Sequence, residues 1–145
     1  MSRLEIEEPS SADIEFLEDR LYDFNVGATG IGDGQPLGIF LRDASATIVA
    51  GAAGHTWGGT CELRQVWVAA SLRGSGLGRR LMAEAEAEAL RRGCRQLVLA
   101  TYSFQAPEFY RKLGFQVLLE LPDYPSGHSH LVLRKLISPG SDRST

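Results

Sequence analysis

Arg73-Gly74-Ser75-Gly76-Leu77-Gly78-Arg79-Arg80 is the stretch that decides the fold, because it joins an apolar run at residues 63–68 to an Ala/Glu-rich run at residues 81–90. The first run has strand character and the second has helical character, so a strand-to-helix turn is predicted here. Its glycines allow a ligand to approach the backbone closely, and the first N–H groups of the helix attract an anion. The flanking arginines favour a multiply charged anion such as a pyrophosphate.

The glycine spacing excludes two common phosphate-binding motifs. The three glycines fall at i, i+2 and i+4, which is not the Gly-x-Gly-x-x-Gly of dinucleotide-binding folds, and no Gly-Lys-Ser/Thr follows. A turn whose glycines serve tight packing alone is the alternative interpretation. If a nucleotide binds, it is held in neither of those two ways.

Composition restricts the classes of function. The 145 residues predict one domain, residues 1–138, with a flexible tail at residues 139–145. A net charge of -3 argues against nucleic acid and anionic membranes as partners. Cys61 and Cys94 are predicted to be buried free thiols, and no metal site is expected. The start of the chain has no apolar signal segment, so a cytoplasmic protein is expected.

The order of predicted elements gives a mixed α/β fold with a mostly antiparallel sheet. A short strand at residues 4–6 precedes a serine-capped helix that ends near Asn25, followed by a loop at residues 26–36. Strands are predicted at residues 38–42, 47–52 and 60–68, a helix at 77–92 closed by Gly93, and a strand at 96–101. The helix has an apolar stripe in which Ala85 and Ala89 allow close approach to a sheet, and Glu88 and Arg92 have the spacing of an ion pair. A short helix at residues 107–113 and strands at 115–121 and 131–136 complete the chain.

Two motifs resemble signatures of the GNAT superfamily of acetyl-CoA-dependent N-acyltransferases. Val66-Trp67-Val68 followed by the glycine turn is similar to the pyrophosphate motif of that family, Arg/Gln-x-x-Gly-x-Gly/Ala. Residues 106–115, Ala-Pro-Glu-Phe-Tyr-Arg-Lys-Leu-Gly-Phe, are similar to its second signature. Together, the two motifs give a close resemblance to the family over residues 60–121. One departure is Ser103, which stands where many members have an asparagine that binds the pantetheine arm.

The resemblance implies a fold, a cosubstrate and a site. It implies a sheet splayed between the fourth and fifth predicted strands, with helices at its sides, and acetyl-CoA in the gap. The implied cofactor-binding residues are Val66, Trp67, Val68, Arg73, Gly74, Ser75, Gly76, Leu77, Gly78, Arg79, Ser103 and Phe109. No metal is implied, and a homodimer is possible.

The implied reaction moves an acetyl group to the primary amine of a small molecule by direct attack in a ternary complex. The resemblance implies that Tyr110 donates a proton to the leaving thiolate. The alternative is that Tyr110 is only an aromatic residue of the core. The attacking amine must lose a proton, and Glu62 is the first candidate for its base. Glu62 lies four residues before Val66, which is two alternations of a strand. The alternative is that Glu62 is a solvated residue at the edge of the sheet. His55 is the next candidate for the base.

The sequence gives less information about the residues that bind the acceptor than about those that bind the cosubstrate. Fold analogy places candidate acceptor-binding residues on several segments: Tyr22, Asn25, His55, Trp57, Tyr124 and His128. Trp57 and Tyr124 could stack on an aromatic or cationic acceptor, and ordinary packing is equally consistent. The alternatives to a small-molecule enzyme are a catalytically silent CoA-binding sensor or scaffold, a peptide or protein N-acetyltransferase, and a plain nucleotide-phosphate binder.

Overall fold

A computed structural model describes residues 2–139, so the predicted tail at residues 139–145 lies outside the described part of the chain except for Pro139. The chain forms two compact units, one up to Gly32 and one from Asp33, which are described separately. The elements in chain order are α1 Ser11–Thr29, β1 Gln35–Arg42, β2 Ile48–Trp57, β3 Thr60–Val68, a 3-10 turn Ala70–Leu72, α2 Leu77–Arg91, β4 Gln96–Tyr102, α3 Pro107–Lys112, β5 Gln116–Pro122 and β6 Ser129–Leu136.

The first unit consists of α1 and the segment before it. Ser10 is the predicted cap: its side chain accepts the Asp13 N–H at 3.0 Å, and Asp13 accepts the Ser10 N–H at 2.9 Å. The predicted end near Asn25 was wrong, because the helix continues to Thr29 and ends at Gly30, which has a φ of 75°. Gly27 lies inside the helix. A glycine inside a helix costs only about 1 kcal/mol, so it did not end the element.

The strand predicted at residues 4–6 does not form. The side chains of Leu4 and Ile6 are fully exposed, and neither residue is part of a strand. Three alternating residues satisfy the strand pattern, but a strand exists only where a neighbour accepts and donates its backbone hydrogen bonds. The loop predicted at residues 26–36 is correspondingly shorter, because α1 ends at Thr29 and β1 begins at Gln35.

The second unit is built on a six-stranded mixed sheet with the order β1-β2-β3-β4-β6-β5. All neighbouring pairs are antiparallel except β3 and β4, which are parallel because α2 carries the chain back between them. This confirms the predicted mixed α/β class. The first predicted strand is missing, so the fourth and fifth predicted strands are β3 and β4.

Helix α2 packs on β1, β2 and β3 through the side that the sequence predicted. Ala85 and Ala89 are completely buried, and their small side chains allow the helix to approach Cys61 and Leu63 of β3 closely. The predicted ion pair between Glu88 and Arg92 forms at 2.8 Å, and Arg92 is half-buried because it also donates to the Pro36 carbonyl and the Thr56 hydroxyl. Gly93 follows with a φ of 80°, in the left-handed conformation expected after a helix.

A β-bulge interrupts β3 at Arg64. Ala53 pairs with Gln65 and Gly54 with Leu63, so Arg64 has no residue opposite it on β2. Gly54 is needed at this point, because a Cβ there would lie 1.9 Å from the Glu62 carbonyl oxygen. The bulge reverses the alternation of side chains along β3. Cys61 and Leu63 face α2 before the bulge, and Val66 and Val68 lie on that same face after it, opposite buried Ala52 and Ala50.

Strands β3 and β4 separate beyond their first four residues. Their pairing runs from Thr60 with Gln96 to Leu63 with Leu99 and then stops. On its other side β4 stays paired with β6 as far as Tyr102. The splay therefore opens a gap between the C-terminal half of β3 and the end of β4, where the family resemblance placed it.

Candidate active site

A groove fills the gap between the two splayed strands. One cavity of about 670 Å³ is lined by residues 63–68, Arg73, residues 99–102, residues 104–106 and Tyr110. A second cavity of about 450 Å³ reaches from the same strand to the glycine turn. The two share six lining residues, Val66, Trp67, Val68, Arg73, Ala106 and Tyr110, so they are sections of one groove. The groove therefore reaches from the gap between the strands to the glycine turn.

The glycine turn forms one end of the groove, and its backbone is arranged for an anion. Gly74 and Gly76 have φ values of 79° and 85°, and a Cβ on either would meet no atom within 4 Å. No side chain caps the N-terminus of α2, so the first N–H groups of the helix lack the usual side-chain acceptor. Open space, left-handed glycines and an uncapped helix start together suit a phosphate group.

The remaining residues of the turn have different roles. The Nε of Arg73 donates to the Val68 carbonyl at 3.0 Å, which ties the turn to the end of β3. The Ser75 hydroxyl donates to the Leu72 carbonyl at 2.5 Å. Gly78 is a packing glycine, because a Cβ there would lie 3.2 Å from the Phe109 ring. The packing alternative considered for the turn therefore applies to Gly78 and does not apply to Gly74 and Gly76.

Tyr110 borders both sections of the groove from α3. Its ring packs between Phe109 and Phe115, with centroids 5.1 and 5.7 Å away, so the side chain is both a core aromatic and a groove residue. Burial raises the pKa of the Tyr110 phenol, which keeps the hydroxyl protonated at neutral pH. A protonated phenol in a nearly dry position can donate a proton or a hydrogen bond to a group in the groove.

Glu62 lies outside the groove lining, and the bulge explains why. The four-residue spacing to Val66 predicted that both side chains share a face, but the extra residue at Arg64 places them on opposite faces. Glu62 instead faces His55, with 3.9 Å between the Glu62 Oε1 and His55 Nε2 atoms, and Arg64, at 3.8 Å. The Nδ1 atom of His55 is buried without a hydrogen-bond partner. These three side chains form a cluster of ionisable groups beside the part of β3 that lines the groove.

Two of the predicted acceptor residues, Tyr124 and His128, do not line the groove, but they contact Tyr102 and Phe104, which line it away from the glycine turn. Tyr124 and His128 join Tyr102, Phe104 and His130 in a group of five rings, called the ring cluster below. Trp57 lies at the β2–β3 hairpin, where the two strands are still paired, and it does not line the groove. Tyr22 and Asn25 lie inside α1, in the unit that is described separately.

Ser103, for which the resemblance implied a role in pantetheine binding, is not among the residues that line the groove. Its hydroxyl accepts the Ser129 N–H at 3.0 Å, and its own N–H donates to the Ser129 carbonyl. The nearby side chain that does line the groove is Gln105, whose Oε1 accepts the Thr101 hydroxyl and the Tyr102 N–H, both at 2.9 Å. Sequence reasoning missed Gln105, Tyr102 and Phe104; the only signal for them was their position directly after a buried strand.

A groove between splayed strands that ends at a glycine turn suited to an anion is compatible with an acyl-pantetheine chain that carries a diphosphate, which is the cosubstrate class of the acyl-CoA transferases. Comparison with known sequences agrees. The model of the Acetyltransferase (GNAT) family matches residues 2–115, and the chain belongs to that family. It is an acyltransferase enzyme by this membership, and acetyl-CoA is the cosubstrate that the family uses in general.

Named relatives and solved structures support the assignment. A blasticidin-S acetyltransferase of Streptomyces morookaense is 36% identical over 113 residues, which cover 74% of this chain and 83% of that protein. An acetyltransferase of Agrobacterium fabrum strain C58 is 31% identical over 82% of this chain and 87% of its own. The structure of an acetyltransferase from Bacillus cereus superposes with a TM-score of 0.76 at 27% identity, over 92% of this chain and 98% of that one.

Proposed function

We propose that this protein transfers an acetyl group from acetyl-CoA to a primary amine of a small molecule, by direct attack in a ternary complex. The observation that carries the proposal is the continuous groove from the glycine turn past Tyr110 to the ring cluster. It lets a cosubstrate enter from one end and an acceptor from the other. The relative named for blasticidin S favours a small-molecule acceptor.

The residues of the turn fit the diphosphate of CoA. Gly74, Gly76 and the start of α2 would bind it through N–H groups, with Arg73 and Arg79 adding positive charge. The backbone of β3 from Val66 to Val68 has lost β4 as a neighbour and would pair with the pantetheine amides as an added strand does. Acetyl-CoA supplies the thioester that is attacked. An N–H near Trp67 or Val68 facing its carbonyl oxygen would contribute about 3 kcal/mol.

Proton transfer is assigned to two groups. Tyr110 donates to the sulfur that leaves, since it is the phenol that borders both parts of the groove. A base must deprotonate the attacking alkylammonium, because only the neutral amine is a nucleophile. Glu62 is the proposed base and acts through water, since its carboxylate lies beside the groove and not in it. His55 contacts Glu62 and is the second candidate.

The experiment is to mix the protein with acetyl-CoA and a panel of small primary amines and to follow release of the free thiol. We expect amine-dependent thiol release, and we expect Tyr110→Phe to lower kcat by about 100-fold while the melting temperature stays close to that of the unsubstituted protein. Phenylalanine keeps the ring packing, so a loss of activity reports the hydroxyl. Unchanged turnover in Tyr110→Phe would remove Tyr110 from the mechanism.

The alternatives give different results in the same assay. A CoA-binding sensor would bind CoA saturably and release no thiol with any amine or peptide. A peptide or protein acetyltransferase would turn over peptide amino groups and not small amines. A plain phosphate binder would be inhibited by ATP as strongly as by CoA. The cytoplasmic location and the homodimer expected from the sequence stay predictions.

A further inference from the structure

The ring cluster at the acceptor end of the groove is a built aromatic surface. Tyr102 and Phe104 stack in parallel, with centroids 5.4 Å apart and planes 7° from parallel. Tyr124 and His130 form a second stack at 4.8 Å, and Tyr102 meets both edge to face. His128 meets Phe104 at 5.0 Å. Each ring is therefore supported by at least one other in a geometry that aromatic pairs prefer.

Two members of the cluster, Tyr102 and Phe104, line the larger cavity, so part of this surface faces the groove. Phe104 is 56% exposed, although its ring is held by Tyr102 and His128. An ordered aromatic ring that stays open to the groove can stack on a ligand without a large loss of side-chain entropy.

The turn that carries Tyr124 and His128 is ordered by its own hydrogen bonds. The Tyr124 N–H donates to the His128 carbonyl, the His128 N–H donates to the Pro125 carbonyl at 2.8 Å, and the Gly127 N–H donates to the Asp123 side chain. Tyr124 also shares a side-chain hydrogen bond with Tyr102, which raises the pKa of the Tyr102 phenol. The rings are thus positioned before a ligand arrives.

The charges of the cavity distinguish between two ligands that aromatic rings attract. Rings bind other flat rings by stacking, and they bind organic cations through their faces. The residues that line the larger cavity include Arg64 and Arg73 and no aspartate or glutamate. Because the lining supplies no carboxylate, a second cationic group on the acceptor would lose its hydration there without gaining a partner. The surface therefore suits a neutral flat ring.

From this geometry we infer that the acceptor is a primary amine attached to a planar aromatic or heteroaromatic ring without additional positive charge, and that Phe104 and Tyr102 select it by stacking on the ring. This inference rests on the proposed acetyltransferase function and names the substrate class of the same site. Phe104 is the more exposed of the two rings and makes the larger contribution to the selection.

The test compares 3-phenylpropylamine with 3-cyclohexylpropylamine, which differ in the flatness of the ring and keep it away from the amine. We expect the unsubstituted protein to have a higher kcat/KM for the phenyl compound. Phe104→Leu should lower the phenyl-to-cyclohexyl ratio about fivefold, mainly through KM for the phenyl compound, because one aromatic pair is lost. Since each amine is compared with itself between variants, differences in amine pKa cancel.

Three controls make the result specific. Phe104→Tyr keeps a ring at this position and should retain the ratio. Phe40→Leu changes an exposed phenylalanine on β1 that does not line the groove, and it should leave the ratio unchanged. Putrescine, which carries a second ammonium group, should be a poorer substrate than the phenyl compound.

The outcomes separate the two proposals. Turnover of both ring compounds with equal efficiency, or a ratio unaffected by Phe104→Leu, would overturn the aromatic selection and leave the acetyltransferase function standing. Preferred turnover of putrescine would likewise overturn it in favour of a cationic acceptor. Absence of thiol release with every amine, together with saturable CoA binding, would instead overturn the proposed function.

Discussion

Arg64 is a single extra residue in β3, and it determines which side chains face the groove. Before it, Cys61 and Leu63 point to α2; after it, Val66 and Val68 occupy that face. Glu62 is consequently paired with His55 across the strand pair and not aligned with Val66. A carboxylate at this position can serve as a base only through an intervening water, because it does not line the groove.

Replacement of Glu62 with glutamine tests this role. At pH 7 we expect Glu62→Gln to lower kcat/KM by about 100-fold, since the amide cannot accept the amine proton. The loss should shrink towards pH 10, where an alkylamine with a pKa of about 10 is increasingly neutral without help. The measurement is a pH profile of kcat/KM for both proteins.

A matched variant controls for loss of charge. Glu120→Gln removes an exposed carboxylate from β5, outside the groove, and should leave the pH profile unchanged. A deficit in Glu62→Gln that is constant from pH 7 to 10 would exclude a base role. In that case the same profile for His55→Gln tests the second candidate.

At the scale of elements, the glycines between β3 and α2 divide into those that face open space and one that packs against a neighbouring side chain. The two strands stop pairing after Leu63, the 3-10 turn Ala70–Leu72 redirects the chain, and α2 starts without a side-chain cap. Gly74 and Gly76 face open space in left-handed conformations, whereas Gly78 contacts Phe109. A helix start that lacks a cap and has free space before it is stabilised by a bound anion.

Valine at position 76 should weaken CoA binding more than it weakens the fold. The branched side chain blocks approach to the backbone, so we expect the dissociation constant for CoA to rise at least tenfold, about 1.4 kcal/mol. Isothermal titration with CoA measures the effect. Gly59→Val is the matched control, because Gly59 also has a positive φ, at 89°, and open space but lies in the β2–β3 hairpin.

Gly76→Val and Gly59→Val both place a branched side chain on a backbone with a positive φ, and they differ only in where that residue lies in the fold. Both should lower the melting temperature by similar amounts, and only Gly76→Val should change CoA affinity. Equal affinities for CoA in the two variants would show that the turn does not hold the diphosphate.

At the scale of the whole molecule, the described part of the chain buries both cysteines in the core of the sheet unit. Cys61 is 0% exposed and Cys94 is 3% exposed, as the sequence predicted. Burial raises the pKa of the Cys61 thiol from 9.0 to about 11, and it also raises the pKa of Cys94. Among the helices of residues 2–139, none is long and apolar enough to cross a membrane.

The raised pKa of Cys61 predicts a loss of stability in alkali. Between pH 9 and 11 the unfolded chain releases a thiol proton that the folded chain keeps, so the free energy of unfolding falls as the pH rises through this range. Below pH 9 both states keep the proton, and this group adds no pH dependence. Cys61→Ala removes the group and should make the decline from pH 9 to 11 shallower.

Thermal or urea unfolding at several pH values measures that slope. The alanine variant is expected to be less stable at every pH, because the smaller side chain leaves a cavity; the comparison therefore uses slopes. From pH 7 to 8 the two proteins should run parallel. Parallel curves between pH 9 and 11 as well would contradict the proposed effect of Cys61.

Local patterns in the sequence were sufficient to predict most elements and one end of the site. The cap at Ser10, the α2 stripe with Ala85 and Ala89, the left-handed Gly93 and the glycine turn depend on neighbours within a few residues, so the sequence specifies them directly. The splay of β3 from β4 followed from the family motifs. The strand at residues 4–6 was wrong because a strand requires a partner that its own sequence does not supply.

Tertiary structure decided what faces the groove. The bulge at Arg64 depends on pairing between β2 and β3, and it moved Glu62 to the other face from Val66. The Ser103 hydroxyl accepts the Ser129 N–H, and Tyr102 and Phe104 contact Tyr124, His128 and His130 of the β5–β6 hairpin. The sequence by itself therefore determined most of the elements, the family and the glycine turn, which depend on residues close together in the chain. The ring cluster that we propose as the acceptor surface arises from contacts between residues far apart in the chain, and only the folded sheet brings these together.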